Sequence, residues 1–132
     1  MTSRPPNNVD YYKSLVKRLY NYEVTKVKEL NGYDDRNYHL VTTDSKQFVL
    51  KITNKEESAE TGLLDAVNSF MLHLYNNGFK VTVPQIDTNG KYVSFEAIPA
   101  TGQEVIDTAL DNHYGVRLLE YVSGQLLRDV PF

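Results

Sequence analysis

The sequence contains no cysteine, and other common signals are absent with it. Without thiols, disulfide bonds and thiolate chemistry are excluded, a composition that suits an intracellular protein. No apolar run approaches the roughly 20 residues that a membrane-spanning helix needs. The first ten residues, MTSRPPNNVD, also lack the apolar stretch of a signal peptide. We therefore expect a cytoplasmic protein without a membrane partner.

An excess of charge of one sign is absent too. The 14 basic and 17 acidic side chains are mixed along the chain and give a formal net charge of -3. No basic patch is large enough to hold a nucleic-acid backbone, so we expect no nucleic-acid partner. The histidines lack metal-ligand spacing, and no serine lies in a G-x-S-x-G setting. A zinc site and a nucleophilic hydrolase therefore have no support.

What is present fits one globular domain. The 132 residues are 41% hydrophobic and 23% charged, which are ordinary values for a chain that buries a core. We predict a flexible lead-in over residues 1–7 and a folded unit over residues 8–132. Apolar residues still occur in the last segment, from Leu126 to Phe132. We therefore expect the chain to be a truncated piece of a longer protein.

The first half of the chain predicts one helix and three strands. Apolar side chains recur at helical spacing after a possible cap at Asn8 or Asp10: Tyr12, Leu15, Val16 and Leu19. This helix should end near Asn21. Period-two alternation then predicts strands over 23–30, 38–42 and 47–53. The short polar residues between the last two strands are typical of a hairpin turn, so the three strands should be antiparallel.

The second half predicts another helix and further strands. An acidic stretch over 54–61 leads into apolar residues at helical spacing: Leu63, Leu64, Val67, Phe70, Met71 and Leu74. Asn89-Gly90 is a hairpin signal that should join the extended segment 81–86 to a strand over 91–98.

Residues 99–112 are left as a loop or short helix, and a last strand is predicted over 114–121. The fold class is therefore α+β, a mainly antiparallel sheet of about five strands with two helices packed on it.

Lys51 is the most informative position, because an ammonium within the apolar strand Phe48-Val49-Leu50-Lys51-Ile52 must reach an anion or water. It either neutralises nucleotide phosphates, as a strand lysine does in kinases, or points into solvent from an edge strand. The loop over 31–37 either covers those phosphates or is an ordinary hairpin turn. The loop contains no G-x-G-x-x-G or P-loop motif.

Two more segments are candidates for the same site. Asp65 is the only acid within the apolar part of the second helix; it either pairs with Lys51 or complements the dipole of the first helical turn. The segment from Leu118 to Gly124 either offers backbone groups to a purine edge or is a buried strand followed by a turn.

Three stretches, taken in order, resemble the N-terminal lobe of the aminoglycoside phosphotransferase family. They are Gly32-Tyr33-Asp34-Asp35-Arg36-Asn37-Tyr38-His39, then Phe48-Val49-Leu50-Lys51-Ile52, and then Val116-Arg117-Leu118-Leu119-Glu120-Tyr121-Val122-Ser123-Gly124. The resemblance covers roughly residues 9–132. It implies a kinase-like, nucleotide-binding lobe.

The resemblance also implies roles for single residues. Residues 32–37 would cover the phosphates, Lys51 would contact them, and Glu120, Tyr121 and Val122 would form the hinge against the base. Asp65 would hold the lysine, unless apolar Val67 occupies that place. The complete enzyme would transfer the γ-phosphoryl group of ATP or GTP, with Mg2+, to the hydroxyl group of a small substrate.

Catalysis by this chain alone is not expected. Phosphoryl transfer needs a catalytic aspartate and metal-binding Asp/Asn groups from the second lobe. No histidine-x-aspartate stretch occurs, because the histidines are followed two places on by Val41, Tyr75 and Gly115. We therefore expect no catalytic residue and no metal ligand here, an absent C-terminal lobe that would bind the substrate, and self-association through the face left exposed.

Two alternatives stay open. The first is a non-catalytic binding or regulatory module with the same fold, which the offset helix acid and the paired loop aspartates favour. The second is an unrelated α+β interaction domain rich in tyrosine. A Lys51 side chain that faces bulk solvent, far from the 32–37 loop, would support the second alternative.

Overall fold

A computed structural model of the chain describes residues 4–60, 62–79, 81–104 and 113–121. The elements in chain order are α1 (Val9–Tyr20), β1 (Val24–Leu30), β2 (Arg36–Thr42), β3 (Gln47–Thr53), α2 (Lys55–Ser58), α3 (Leu63–Asn76), β4 (Ser94–Ala97) and β5 (His113–Glu120). The five strands form one antiparallel sheet in the order β1-β2-β3-β5-β4. The predicted α+β class, the sheet of about five strands and the two long helices are confirmed.

Helix α1 begins and ends where the sequence predicts. The Asn8 side chain accepts a hydrogen bond from the Tyr11 backbone N–H at 3.3 Å, which satisfies one free donor of the first turn. Asn21 ends the helix in the left-handed region, at φ 61°. The apolar side of α1 packs on one face of the sheet, here called the α1 face. Its buried sheet residues include Tyr38, Leu40, Phe48, Leu50, Ile52, Val116 and Leu118.

The opposite face of the sheet carries α3 and is called the α3 face. Val49 and Leu119 of the sheet form a small buried cluster there with Met71 of the helix. Gly115 in β5 has no side chain where α3 crosses, since a Cβ atom at that position would lie 2.3 Å from Leu64 Cδ1. The second predicted helix therefore lies across β5, next to the strand that carries Lys51.

Helix α2 was not predicted, because four residues are too few for an apolar period. Asn54 caps it by accepting a hydrogen bond from the Glu57 backbone N–H at 2.9 Å. Ser58 then joins α2 to the sheet: its hydroxyl donates to Thr53 O at 3.0 Å and accepts from the Gly115 N–H at 2.8 Å. The predicted polar stretch over 54–61 thus begins with a turn of helix fixed at the end of β3.

The predicted hairpin between 81–86 and 91–98 is wrong in its pairing. The turn itself is present, since the Asp87 N–H donates to Lys91 O at 2.8 Å and the Gly90 N–H donates to Asp87 O at 3.0 Å. Strand β4, however, pairs with β5. Segment 81–86 lies beside the end of β5, where the Glu120 N–H donates to Val83 O at 2.9 Å.

The chain before α1 lies against the sheet where it is described. Tyr38 Oη donates to Asn7 Oδ1 at 2.7 Å, and Arg36 Nε donates to Pro5 O at 3.1 Å. Residues 1–3 of the predicted lead-in, and residues 105–112 of the predicted loop or short helix, lie outside the described residues. None of the helices in the described ranges is long and apolar enough to cross a membrane.

Candidate functional site

Lys51 lies in a row of polar side chains that crosses three strands on the α3 face. In the antiparallel register, Lys51 of β3 is opposite Asn37 of β2 on one side and opposite Arg117 of β5 on the other. Side chains of directly opposed residues point to the same face of a sheet. We call these three residues the cation row. The end of the predicted phosphate-covering loop, Asn37, is therefore on the same side of the sheet as the lysine.

The Lys51 side chain is half-buried, so it is not the solvent-facing lysine that would support the interaction-domain alternative. Burial, and after it the neighbouring positive charge of Arg117, lowers the pKa of Lys51 from 10.5 to about 8. The carboxylates of Asp35 and Glu57 act in the opposite direction. Lys51 is thus a cation whose charge is incompletely balanced by the described residues.

Residues 31–35 form a tight loop between β1 and β2. A Cβ atom at Gly32 would lie 2.8 Å from Asp35 O and 2.9 Å from Asn37 Nδ2. The guanidinium of Arg4 spans the same loop, because Nη2 donates to Gly32 O at 3.2 Å and Nε donates to Asp35 O at 3.4 Å. The close packing requires glycine at position 32, and Arg4 fixes the shape of the loop from outside the sheet.

We expect that Gly32→Ala destabilises the folded chain by about 1–3 kcal/mol, because the added methyl group overlaps a backbone oxygen. The neighbouring Tyr33, whose side chain is 94% exposed, supplies the control. Tyr33→Ala should change the free energy of unfolding by less than about 0.5 kcal/mol. Urea unfolding of both variants checks the expectation. Equal stability of Gly32→Ala and the parent chain would show that the loop rearranges freely.

The two loop carboxylates point to different surroundings. Asp34 is exposed at the loop tip. Asp35 Oδ1 accepts hydrogen bonds from both the backbone N–H and the side-chain amide of Asn54, each at 2.9 Å. This contact turns Asp35 toward the end of β3, where its charge raises the pKa of both Lys51 and Arg117. Asp35 is therefore the loop residue that the structure brings to the cation row.

Arg36 is directed away from this row. It is opposite Ile52, which belongs to the α1 face. Its Nη1 donates to Glu29 Oε2 at 2.8 Å. Strand β2 begins at Arg36, two residues earlier than predicted, because Arg36 and Asn37 both pair in the sheet. The predicted group of residues over 32–37 is thus divided between the two faces.

The structure does not bring Asp65 to Lys51. Asp65 is exposed in the first turn of α3, and none of the ion pairs within the described ranges includes Lys51. Val67 packs on the small cluster of the α3 face. The α3 side chain that reaches the cation row is Asn68, whose Oδ1 accepts from Arg117 Nη1 at 3.1 Å. A neutral amide contacts the neighbouring arginine where a carboxylate was expected to hold the lysine.

The predicted hinge is described as far as Tyr121; Val122 lies outside the described residues. Both described backbone donors are engaged, since Glu120 N–H donates to Val83 O at 2.9 Å and Tyr121 N–H donates to Gln47 O at 3.2 Å. The Tyr121 ring contacts the ring of His39, with centroids 4.5 Å apart. The base of a bound nucleotide would therefore have to form hydrogen bonds with backbone groups other than these two N–H donors.

An anion fits the cation row better than a metal does. The buried donor Arg117 Nε on this row lacks a hydrogen-bond partner and could donate to an anion; the buried acceptor Asn37 Oδ1 also lacks a partner but could not bind one. The described part of the chain contains no group of three Asp, Glu or His side chains that could hold a metal ion. These residues offer an oxyanion two cations, whereas a Mg2+ ion that accompanies a nucleotide would obtain no complete ligand set from them.

Sequence reasoning missed Arg117, Asn68 and Asn54. The signal for Arg117 was available, because Val116-Arg117-Leu118 repeats the apolar-cation-apolar pattern of Leu50-Lys51-Ile52. Asn68 and Asn54 gave no signal of this kind. Asparagine is a common residue in loops and at helix caps, so neither position stands out in the sequence.

Comparison with known proteins identifies relatives over nearly the whole chain. Hydroxylysine kinase of Xenopus laevis is 32% identical over 133 residues, which is 97% of this chain and 34% of the relative. Hydroxylysine kinase of Bos taurus is 33% identical and is matched over 89% of this chain and 31% of its own length. The chain thus spans about a third of the length of these relatives.

A solved structure shares the fold. Amicoumacin kinase hAmiN, in complex with AMP-PNP, Ca2+ and Ami, superposes with a TM-score of 0.64 and 21% identity over 85% of this chain and 30% of that one. The likeness confirms the prediction of a kinase-like N-terminal lobe. The family profile described as phosphotransferase enzyme family matches residues 26–131. The chain therefore belongs to this family, the aminoglycoside phosphotransferases, as its loop, lysine and hinge segments predicted.

Proposed function

We propose that this chain is the nucleotide-binding lobe of a small-molecule kinase. The complete protein would transfer the γ-phosphoryl group of ATP or GTP, accompanied by Mg2+, to the hydroxyl group of a small substrate such as hydroxylysine. The observation that carries the proposal is the cation row, where Lys51 is half-buried on the same face as Asn37, which follows the 31–35 loop at the start of β2. Family membership and the name of the relatives support the kinase activity.

The residues of this chain would bind and position the phosphates. The Lys51 ammonium would contact phosphate oxygens, because a partly desolvated cation gains more from an anion than an exposed lysine does. The loop that Gly32 closes would cover the phosphates from the β1–β2 side. Glu120 to Val122 would pass beside the base. Chemistry at the γ-phosphorus would depend on groups from the rest of the protein.

One observation favours a non-catalytic binding or regulatory module as the second candidate. Lys51 makes no ion pair with a carboxylate of α3 within the described residues, although active kinases hold the strand lysine in this way. The two candidates share the nucleotide site and differ in phosphoryl transfer. The proposed self-association through an exposed lobe face is compatible with both.

The first experiment measures nucleotide binding to the 132-residue chain. Titration of ATP or GTP with Mg2+, followed by amide chemical shifts, should give saturable changes in β2, β3 and the 31–35 loop. Lys51→Met should weaken binding at least tenfold, on the order of the 1.4 kcal/mol or more expected for a charge-assisted contact. Lys91→Met, a change of an exposed lysine in the turn after Asp87, is the matched control. Equal binding by parent and Lys51→Met chains would contradict the proposal.

The second experiment separates the kinase from the regulatory module. It uses a protein that contains this chain together with the remaining two thirds of its relatives' length. Transfer of labelled phosphate from γ-labelled GTP or ATP to hydroxylysine would support the kinase. Nucleotide binding that depends on Lys51, without transfer to any small hydroxyl compound, would support the module.

A further inference from the structure

Arg117 is an unusual residue for the middle of a covered strand. It lies in β5 between Val116 and Leu118 and is only 3% exposed. A buried guanidinium ordinarily has a carboxylate partner, because the loss of hydration is costly for a charge that stays unpaired. No ion pair in the described ranges includes Arg117.

The hydrogen bonds of Arg117 leave part of its guanidinium unused. Nη1 donates to the neutral Oδ1 of Asn68 at 3.1 Å. Nε is buried and has no hydrogen-bond partner. The amide of Asn68 orients the guanidinium from α3 but supplies no negative charge. A buried donor without an acceptor costs about 1–3 kcal/mol, so the site is incomplete for a charged donor.

Lys51, the second cation of the row, also has a charge that the described residues balance incompletely. Lys51 is directly opposite Arg117 on the neighbouring strand, and two positive side chains side by side repel each other in a partly desolvated site. Asp35 of the 31–35 loop and Glu57 of α2 raise the pKa of both cations. Among the described residues, neither carboxylate forms an ion pair with Lys51 or Arg117. Two adjacent cations with this weak compensation would be stabilised by a further anion.

We propose that Arg117 is a second phosphate-binding cation beside Lys51, oriented by Asn68, and that the two bind neighbouring oxygens of the nucleotide's polyphosphate. The inference rests on the proposed function and extends its site from one cation to two. A planar guanidinium suits this role because it can donate two parallel hydrogen bonds to phosphate oxygens. Asn68 is then a positioning residue, since it acts through Arg117.

Anion titrations test the proposal. ADP and tripolyphosphate are the probes, and the variants are Arg117→Met, Arg117→Lys and, as a control, Arg18→Met. Arg18 is an exposed arginine of α1, on the other face, and is paired with Glu96 at 2.6 Å. Arg117→Met should raise the Kd for both probes at least tenfold, Arg117→Lys should raise it less, and Arg18→Met should leave it unchanged.

Two further readouts separate phosphate binding from a purely structural contact between β5 and α3. In the parent chain, the 15Nε signal of Arg117 should shift and saturate with tripolyphosphate at the same midpoint as the backbone signals of β3. In Arg117→Met, the pKa of Lys51 should rise above about 8, because a neighbouring positive charge is removed. The first readout needs no variant, so it decides the question even if Arg117→Met does not fold.

The outcomes also separate this inference from the function on which it rests. If Lys51→Met loses ADP binding while Arg117→Met retains it, Arg117 has only a structural role and the inference is overturned. The same conclusion follows if the Arg117 15Nε signal does not shift when tripolyphosphate is added. If neither Lys51→Met nor Arg117→Met affects ADP binding, the proposed nucleotide site fails as well. Parallel losses in both variants, with Arg18→Met unaffected, support the two-cation site.

Discussion

Lys51→Met is expected to stabilise the folded chain while it weakens nucleotide binding. Methionine keeps most of the unbranched apolar stem but removes a charge that burial and Arg117 both disfavour. The pKa of Lys51 is lowered from 10.5 to about 8, a change worth on the order of 3 kcal/mol in favour of the uncharged form. Urea or thermal unfolding at neutral pH should show a gain of this order, about 4 °C per kcal/mol.

The pH dependence of this gain follows from the same pKa. Between about 8 and 10.5 the folded chain binds fewer protons at Lys51 than the unfolded chain does, so the stability of the parent rises with pH through this window. Methionine does not titrate. Its advantage over lysine should therefore be complete below about pH 8 and should diminish as the pH approaches 10.5.

Lys91→Met is the control, because it removes a charge from an exposed position. Its free energy of unfolding should differ from that of the parent by less than about 0.5 kcal/mol at every pH. Should Lys51→Met instead be less stable than the parent at pH 7, the ammonium would already have a favourable partner, and the description of Lys51 as a poorly compensated cation would be incorrect.

Local periodicity explains why most of the elements could be predicted. The apolar stripe and caps of α1, the hairpin of β2 and β3, and the stripe of α3 are each encoded within one short continuous stretch of the chain. The partner of β4 is not encoded locally. Asn89-Gly90 favours a turn, yet the chain before it contains Pro84, which has no N–H for a ladder. This segment meets β5 through the isolated bridge between Pro84 and Leu119.

The site could be predicted only where one residue stood out against its neighbours. Lys51 did so because it interrupts an apolar strand. Asp65 was chosen by type and position, but sequence spacing does not fix which side of a helix faces the sheet, and Gly115 is what sets how closely α3 approaches β5. Because α3 lies this close to β5, the Asn68 side chain contacts Arg117 of the cation row, whereas the Asp65 side chain is exposed to solvent. Which loop aspartate faces the lysine likewise depends on Asn54, nineteen residues away.

Asp35→Asn should have the opposite effects on stability and on anion binding to those of Lys51→Met. Asparagine retains an oxygen that can accept from Asn54, so the variant removes charge with little change of shape. Without this carboxylate the two cations lose a compensating anion and Asn54 loses a charged acceptor, and we expect a loss of about 1–2 kcal/mol in the free energy of unfolding at pH 7. The pKa of Lys51 should fall below about 8, since Asp35 now raises it.

The anion affinity of Asp35→Asn should rise, because the loop carboxylate repels a phosphate that approaches the same cations. In the absence of metal ions, tripolyphosphate should bind roughly fivefold more tightly than to the parent, which corresponds to about 1 kcal/mol. Asp34→Asn is the matched control, because this neighbour is exposed at the loop tip and should alter neither stability nor affinity by a comparable amount. Unchanged stability in both variants would show that Asp35 does not compensate the cations.

The double variant Lys51→Met/Asp35→Asn decides whether the two side chains act on one site. If Asp35 stabilises the fold by compensating Lys51, its removal should cost less when the lysine is already absent, and the difference between the two costs measures their coupling. We expect at least 0.5–1 kcal/mol of coupling and not the full effect, because Arg117 remains in the row. Additive effects within about 0.3 kcal/mol would mean that loop and lysine are independent. In that case Asp35 would hold the loop through Asn54 alone, and the cations would have no counter-charge that a phosphate replaces.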